Sequence, residues 1–429
     1  MIYITGGYLM QIKNEKVRYW LSLLSLGFMG GTIYILPYIR YVFYDQMIGT
    51  MQITNTQIGL LSTIYAVMVS LSAIPGAFMA DKIDAKKTIL VSIGGTTILA
   101  FIYAAFVNSY QVAIIIWALL GITTSTAYWP SLIKYINNLG SAESAGNSFG
   151  TYYLVNGFSG MLGNVLPLWA STHFGFRGAM ICVGVITTVA TILVLLFLES
   201  EAAKKARGEA MEGDDENIKI SDVKYVLKWP GFYLFYILVI ATYFLYANVS
   251  YFNPYLINVL GIDPDSSSGF AVVRTYGAMM LAPVGGIMAD KVFKSTSKWF
   301  IVAFSILAVL FAGTFIFNSE SNVIVVCIYS LLPSLVAMPM YSVTYSILRE
   351  IHFHPALMGT AIGLTSVLPV TDGLVPPIFG RILDSYGNYG YKIIFMVLIG
   401  VCVVGVITSF LVRDHSRKCE EGKRVMKIE

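Results

Sequence analysis

The chain has 429 residues, of which 56% are hydrophobic and only 12% charged, and its mean hydropathy is +0.71. A water-soluble domain keeps roughly a quarter of its residues charged, so a soluble globular protein is excluded and lipid is the expected solvent. The net charge of +4 does not point to nucleic acid, because the Lys and Arg residues lie in short loops between apolar runs rather than along one face.

A helix needs roughly 20 apolar residues to cross the hydrocarbon layer, and it must satisfy its own backbone there. Segmenting on that length predicts twelve spans, near 19 to 47, 57 to 80, 88 to 107, 111 to 137, 146 to 171, 178 to 198, 231 to 257, 267 to 289, 298 to 318, 322 to 349, 357 to 380 and 391 to 412. Lys13, Lys16 and Arg18 precede the first apolar stretch in the manner of a signal peptide, but the stretch is too long and no small-residue cleavage site follows. It is expected to remain as the first span.

The mixed-charge run from 199 to 230, EAAKKARGEAMEGDDENIKISDVKYVLKWP, interrupts the apolar pattern and reads as a linker. The fold expected is all-α, with twelve transmembrane helices in two six-helix bundles: 1–198, a cytoplasmic linker 199–230, then 231–413 and a cytoplasmic tail 414–429. With the termini and the linker on one side, that side holds 23 of the 28 Lys and Arg, which assigns it to the cytoplasm. A plasma-membrane protein, bacterial inner membrane in kind, monomeric and surrounded by lipid is expected.

After the second span the chain reads GAFMADKIDAKK (Gly76 to Lys87), and after the eighth GGIMADKVFKSTSK (Gly285 to Lys298). The shared M-A-D-K string places Asp81 and Asp290 209 residues apart, close to half the chain. Such spacing marks two duplicated halves. The pattern G-x-x-x-D-(R/K) resembles the signature loop of the major facilitator superfamily, with Ala77, Asp81 and Lys82 in the first copy and Gly286, Asp290 and Lys291 in the second. The resemblance implies a rocking transporter in which these loops latch one state. The first copy departs from the pattern: Ala77 stands at the glycine position, Asp84 where a second glycine is usual and Ala85 where a basic residue is usual.

Within that superfamily PYIRYVF, YWPSLIKY, and YVLKWPGFYLF through NPYLINVLGI to GGIMADKVF are similar to the organophosphate:phosphate antiporter group, whose example is the bacterial glycerol-3-phosphate transporter. By that likeness Arg40 occupies the place of a phosphate-binding arginine. The group's second arginine is replaced by Tyr246 and its histidine by Val155, which argues against organophosphate itself. Trp117 stands where the superfamily usually carries an arginine on the fourth span, and Lys134 aligns with a basic residue of the group. Near the cytoplasmic end of its helix, Lys134 is more simply a snorkelling side chain.

Ionisable side chains at membrane depth are costly and default to function. There are three clear cases: Arg40, Arg274 and Asp372. A guanidinium offers a planar fork to carboxylate, phosphate or sulfate. Arg40 is expected to contact an anion, or else to bond backbone carbonyls; Arg274 either supplies the missing charge or pairs with Asp372. Asp372, in VLPVTDGLVPP, is a proton-coupling candidate or one half of a permanent salt bridge.

Polar and aromatic candidates for the path are Tyr34, Tyr38, Tyr128, Trp129, Tyr152, Asn156, Tyr246, Asn248, Tyr251, Asn253 and Tyr341. Each one taken singly also suits packing or an interfacial anchor. Tyr38 and Tyr246 stand out because they accompany the arginine positions. The glycines of FMGGT and GFSGMLGN serve either sliding or static helix packing.

The four cysteines are scattered without metal-ligand spacing, so no metal and no cofactor is expected. No HExxH, GxSxG or phosphate loop is present, which argues against an enzyme. The sequence therefore points to a secondary transporter of a small organic anion, such as a sugar phosphate, sugar acid, sulfonate or carboxylate. It would act by antiport against a second anion or by symport with protons. The alternatives are proton symport of a neutral sugar or other small solute, and a transporter-derived sensor.

Overall fold

The computed structural model describes residues 14–126, 128–137, 139, 145–206, 223–354, 357–366, 370–423 and 426. Among them every regular element is helical. The first half contains α1 (Glu15–Ile33), α2 (Arg40–Met51), α3 (Asn55–Lys82), α4 (Ala85–Ala105), α5 (Tyr110–Ser125), α6 (Tyr128–Asn137), α7 (Ala145–Phe197) and the short α8 (Glu201–Ala206). There follow α9 (Val223–Lys228), α10 (Pro230–Asn248), α11 (Phe252–Asn258), α12 (Pro264–Val272), α13 (Ala282–Gly286), α14 (Thr296–Gly313), α15 (Val323–Tyr329) and α16 (Leu332–Ser342). The chain ends with α17 (Ile347–Glu350), α18 (Met358–Ser366), α19 (Val370–Gly373), α20 (Val375–Tyr386) and α21 (Asn388–Glu420). It packs as two units, Met1–Ile53 with Leu60–Asp215, and Thr54–Gly59 with Glu216–Glu429. Half of the expected linker, residues 207–222, lies outside the described residues.

Among the described residues seven helices are singly long and apolar enough to cross a membrane, and the bent pair Pro264–Gly277 and Ala282–Val292, taken as one span, makes an eighth. Of the other predicted spans, 57 to 80 lies within the single helix α3 and 19 to 47 is built from the shorter α1 and α2, which is consistent with twelve. The protein is an all-α membrane protein.

The breaks have local causes. Pro37 has no N–H to give a preceding carbonyl, and its ring obstructs a continuing helix, so α1 stops at Ile33 and α2 starts at Arg40. α7 unites two predicted spans in one helical run, interrupted at Gly175, whose φ of +67° costs a glycine little. The span predicted at 267 to 289 bends by 51° and holds two π-helical stretches, Val273–Gly277 and Ile287–Val292. Such stretches concentrate at functional positions.

Lipid tails are as apolar as leucine, so helices in a membrane associate through close van der Waals packing rather than the hydrophobic effect. FMGGT on α1 and GFSG on α7 face each other in this way. A Cβ at Gly31 would lie 2.3 Å from the Asn156 carbonyl oxygen and 2.6 Å from the Gly160 nitrogen, so the two backbones touch. Leu23, Leu26, Met29, Ile89, Ile93, Ala190 and Val194 fill the core beside this contact. In the second unit Phe235, Phe252, Phe300, Phe304, Phe311 and Phe395 form an aromatic core.

Carboxylates finish the helix ends. Asp84 accepts the Lys87 N–H at 3.2 Å to cap α4, and the Glu201 N–H at 2.6 Å. Glu350 accepts from the Ser295 and Ser297 hydroxyls at 2.6 and 2.5 Å and from the Ser297 N–H at 2.9 Å.

Candidate functional site

In the first unit the break at Pro37 places Arg40 on the first turn of α2. Its guanidinium is buried and lies 4.9 Å from the Tyr41 ring centre. Tyr38 stacks on Tyr41 at 5.4 Å and meets Tyr65 edge-on at 5.7 Å. Tyr34 contacts Tyr38 at 6.3 Å and Tyr128 at 6.0 Å, and its hydroxyl donates to the Thr124 carbonyl at 3.2 Å. The structure thus brings Arg40, Tyr38 and Tyr128 into one chain of aromatic contacts. Trp117 sits in the core of the unit and donates its indole N–H to the Pro37 carbonyl at 3.3 Å. At the place where the superfamily's arginine was sought, it braces the break that positions Arg40.

Asn156 donates to the Tyr152 hydroxyl at 3.1 Å beside the Gly30 contact, whereas Trp129 is exposed. Lys134 is salt-bridged to Glu201 at 3.0 Å, a pairing that sequence spacing did not reveal.

In the second unit Arg274 lies in the first π-helical stretch and is 3% exposed. Its Nη1 donates to the Ser330 hydroxyl at 2.9 Å, and the guanidinium carbon is 5.8 Å from the Phe252 ring centre. Nε and Nη2 are buried and have no hydrogen-bond partner among the described residues. A guanidinium cannot shed its charge to escape this environment, and isolated buried charge is expensive. Asp372 lies on α19, with its side chain outside the described residues.

Tyr246 lies flat on Tyr341, with ring centres 4.9 Å apart and planes 6° from parallel, and Tyr243 meets Tyr341 at 5.6 Å. All three are half-buried. Asn248 is buried and donates to the Phe244 carbonyl at 2.8 Å within its own helix, while Asn253 accepts from Ser267 at 2.7 Å.

Of the loop residues, Lys82 and Lys291 are exposed, and the side chains of Ala77 and Asp81 are outside the described ones. Asp290, also exposed, lines a cleft of about 1100 Å³ together with Arg349, Glu350 and Arg413. The close helix contact at this loop is made by Gly285, where a Cβ would lie 2.0 Å from the Pro339 carbonyl oxygen; Gly286 faces open space. Among the described residues no cluster of His, Cys, Asp and Glu could hold a metal.

The sequence model of the Major Facilitator Superfamily matches residues 19–369. The chain is 26% identical over 419 residues to the inner membrane protein YihN of Escherichia coli, covering 94% of this chain and 97% of that protein. It is 22% identical over 376 residues to the probable sulfoacetate transporter SauU of Cupriavidus necator, covering 84% and 86%. Its fold is similar to the crystal structure of a D-xylose-proton symporter, with a TM-score of 0.71 at 15% identity over 92% of this chain and 97% of that one.

Proposed function

The chain belongs to the Major Facilitator Superfamily, and we propose that this membrane transporter moves a small organic anion bearing a carboxylate, sulfonate or phosphate head, by alternating access between its two halves. One observation carries the reading: Arg274 is 3% exposed and keeps Nε and Nη2 free among the described residues. Those two donors share one edge of the guanidinium, the edge that takes two oxygens of an oxyanion side by side. Ser330 fixes the other edge, so the fork is oriented before a ligand arrives.

Arg40 is a second buried guanidinium, in the first unit. The similarity to a probable sulfoacetate transporter supports a sulfonate or carboxylate head over an organophosphate one. Tyr246, flat on Tyr341 where the organophosphate group carries its second arginine, favours a solute with an apolar or carbohydrate body beside its charged head. Asp372 is the residue through which protons could couple. A membrane orientation with both termini cytoplasmic accompanies this proposal.

A second reading, proton symport of a neutral sugar, draws on the same tyrosines and leaves Arg274 without a task. Thermal shift of the purified full chain against sulfoacetate, sugar acids, short carboxylates and sugar phosphates separates the two. Ligand at about 100 times its Kd stabilises the bound protein by roughly 2.7 kcal/mol. The anion reading expects a hit for wild type that Arg274→Gln loses. Equal stabilisation of both proteins by every anionic hit would falsify it.

A further inference from the structure

The helical run that carries Ser330 holds a second buried serine four positions on. Pro333 has no N–H for the Tyr329 carbonyl, so α15 ends at Tyr329 and α16 starts at Leu332. The run is loosened there but not turned aside, since Ser330 and Leu331 between the two helices keep helical dihedrals. Val326, Ser330, Ser334 and Ala337 accordingly form one buried stripe, while Ile328 and Leu335 are exposed. Side chains four apart on such a stripe stand about 5 to 6 Å from each other at Cβ. Ser334 is therefore one turn from the serine that holds Arg274.

The two hydroxyls are not in the same state. A serine inside a span ordinarily donates to the carbonyl three or four positions back, as Ser305 does to Ile301 and Ser409 to Gly405. Ser330 also does so, and its oxygen accepts from Arg274 as well. The hydroxyl of Ser334 is buried and has no hydrogen-bond partner among the described residues. The Leu331 carbonyl, three positions back, already accepts the N–H groups of both Ser334 and Leu335. Its two lone pairs are thus taken.

Arg274 Nε, Arg274 Nη2 and the Ser334 hydroxyl are then three buried donors, on neighbouring positions of one unit, that a single group with several oxygens satisfies together. The shape of the group matters. A carboxylate gripped by the guanidinium edge lies in its plane, and both of its oxygens are used there. A sulfonate is pyramidal. With two oxygens on the edge, its third leaves that plane and needs a donor from elsewhere.

We propose, resting on the anion reading above, that Ser334 sets the head-group selectivity of this site: its hydroxyl donates to the third oxygen of a sulfonate whose other two lie on Arg274 Nε and Nη2. A carboxylate in the same place leaves that hydroxyl buried and unpaired, and a site built to bond a group discriminates against the analogue that lacks it. Charge separates the remaining candidates. One guanidinium balances the single charge of a sulfonate, whereas a phosphonate or phosphate monoester carries nearly two at neutral pH and brings the second into the same buried place.

Sulfoacetate, malonate and phosphonoacetate differ in one head only, so titration calorimetry of the purified full chain with each of them is the test. Wild type should bind sulfoacetate about tenfold more tightly than the other two, the worth of one hydrogen bond. Ser334→Ala should weaken sulfoacetate by about that factor and leave malonate within about twofold. Its melting temperature without ligand should equal or exceed the wild-type value, because no bond is lost; a serine with a purely structural role would lower it. Ser334→Cys, a weaker donor of similar size, should fall between. Arg274→Gln tells the two readings apart. If it binds the acids as wild type does, the anion reading fails and takes the selectivity with it. If it loses them while Ser334→Ala weakens sulfoacetate and malonate alike, or neither, the anion reading stands and the role of Ser334 is overturned. A wild type that favours malonate or phosphonoacetate, or that binds no sulfoacetate, overturns it as well.

Discussion

Arg274 donates Nη1 to the Ser330 hydroxyl at 2.9 Å, and that hydroxyl donates in turn to the Cys327 carbonyl at 2.7 Å. The serine is wholly buried, so a chain of two hydrogen bonds ties the arginine to the end of α15 and sets the direction of its free edge.

Ser330→Ala should leave the charge and release its orientation. Affinity for the anionic ligand is expected to fall by about tenfold, the equivalent of one net hydrogen bond of roughly 1.4 kcal/mol. Arg274→Lys should not rescue Arg274→Gln, because an ammonium has no planar fork. Titration calorimetry on the three variants measures both effects.

Arg274→Met should stabilise the unliganded protein while removing its response to ligand. Replacing a buried guanidinium that has no counter-charge among the described residues with an apolar chain of similar length is expected to gain about 1 to 3 kcal/mol. A melting temperature at or below the wild-type value would mean that the guanidinium is satisfied without solute.

Gly31→Ala should be destabilising, because the new Cβ would lie 2.3 Å from the Asn156 carbonyl oxygen and backbone cannot rotate aside. Overpacking of this kind costs about 1 to 3 kcal/mol. Gly286→Ala meets nothing within 4 Å and should be near neutral, whereas Gly285→Ala should resemble Gly31→Ala. Thermal unfolding in one detergent ranks the three.

Asp84→Ala removes the acceptor that caps α4 and also binds the Glu201 N–H. A loss of about 1 to 2 kcal/mol is expected. Lys134→Ala breaks a partly exposed salt bridge to Glu201 and should cost under about 1 kcal/mol. The order of the two melting temperatures checks the assignment.

Much of the fold was legible because lipid demands long apolar runs, and those runs are visible one at a time. The break at Pro37 was not read, since 19 to 47 passed as one span, whereas Arg40 and Arg274 drew notice because charge in such a run is rare. The role of Arg274's neighbour was not legible: Ser330 lies 56 positions away in a run that reads as plain span, and only packing aligns them. Gly286 fitted the loop pattern, yet Gly285 makes the close approach, because two adjacent glycines differ only in azimuth. Lys134 read as a snorkelling side chain for want of any sequence sign that Glu201 would reach it.

The contact between α1 and α7 fixes more than a distance. Where main chain meets main chain at Gly31, no flexible group remains that could trade one partner for another, and a slip of a single position would drive a side chain into a peptide plane. The two helices are keyed in register, and whatever large motion the first unit makes, they travel through it as one plank.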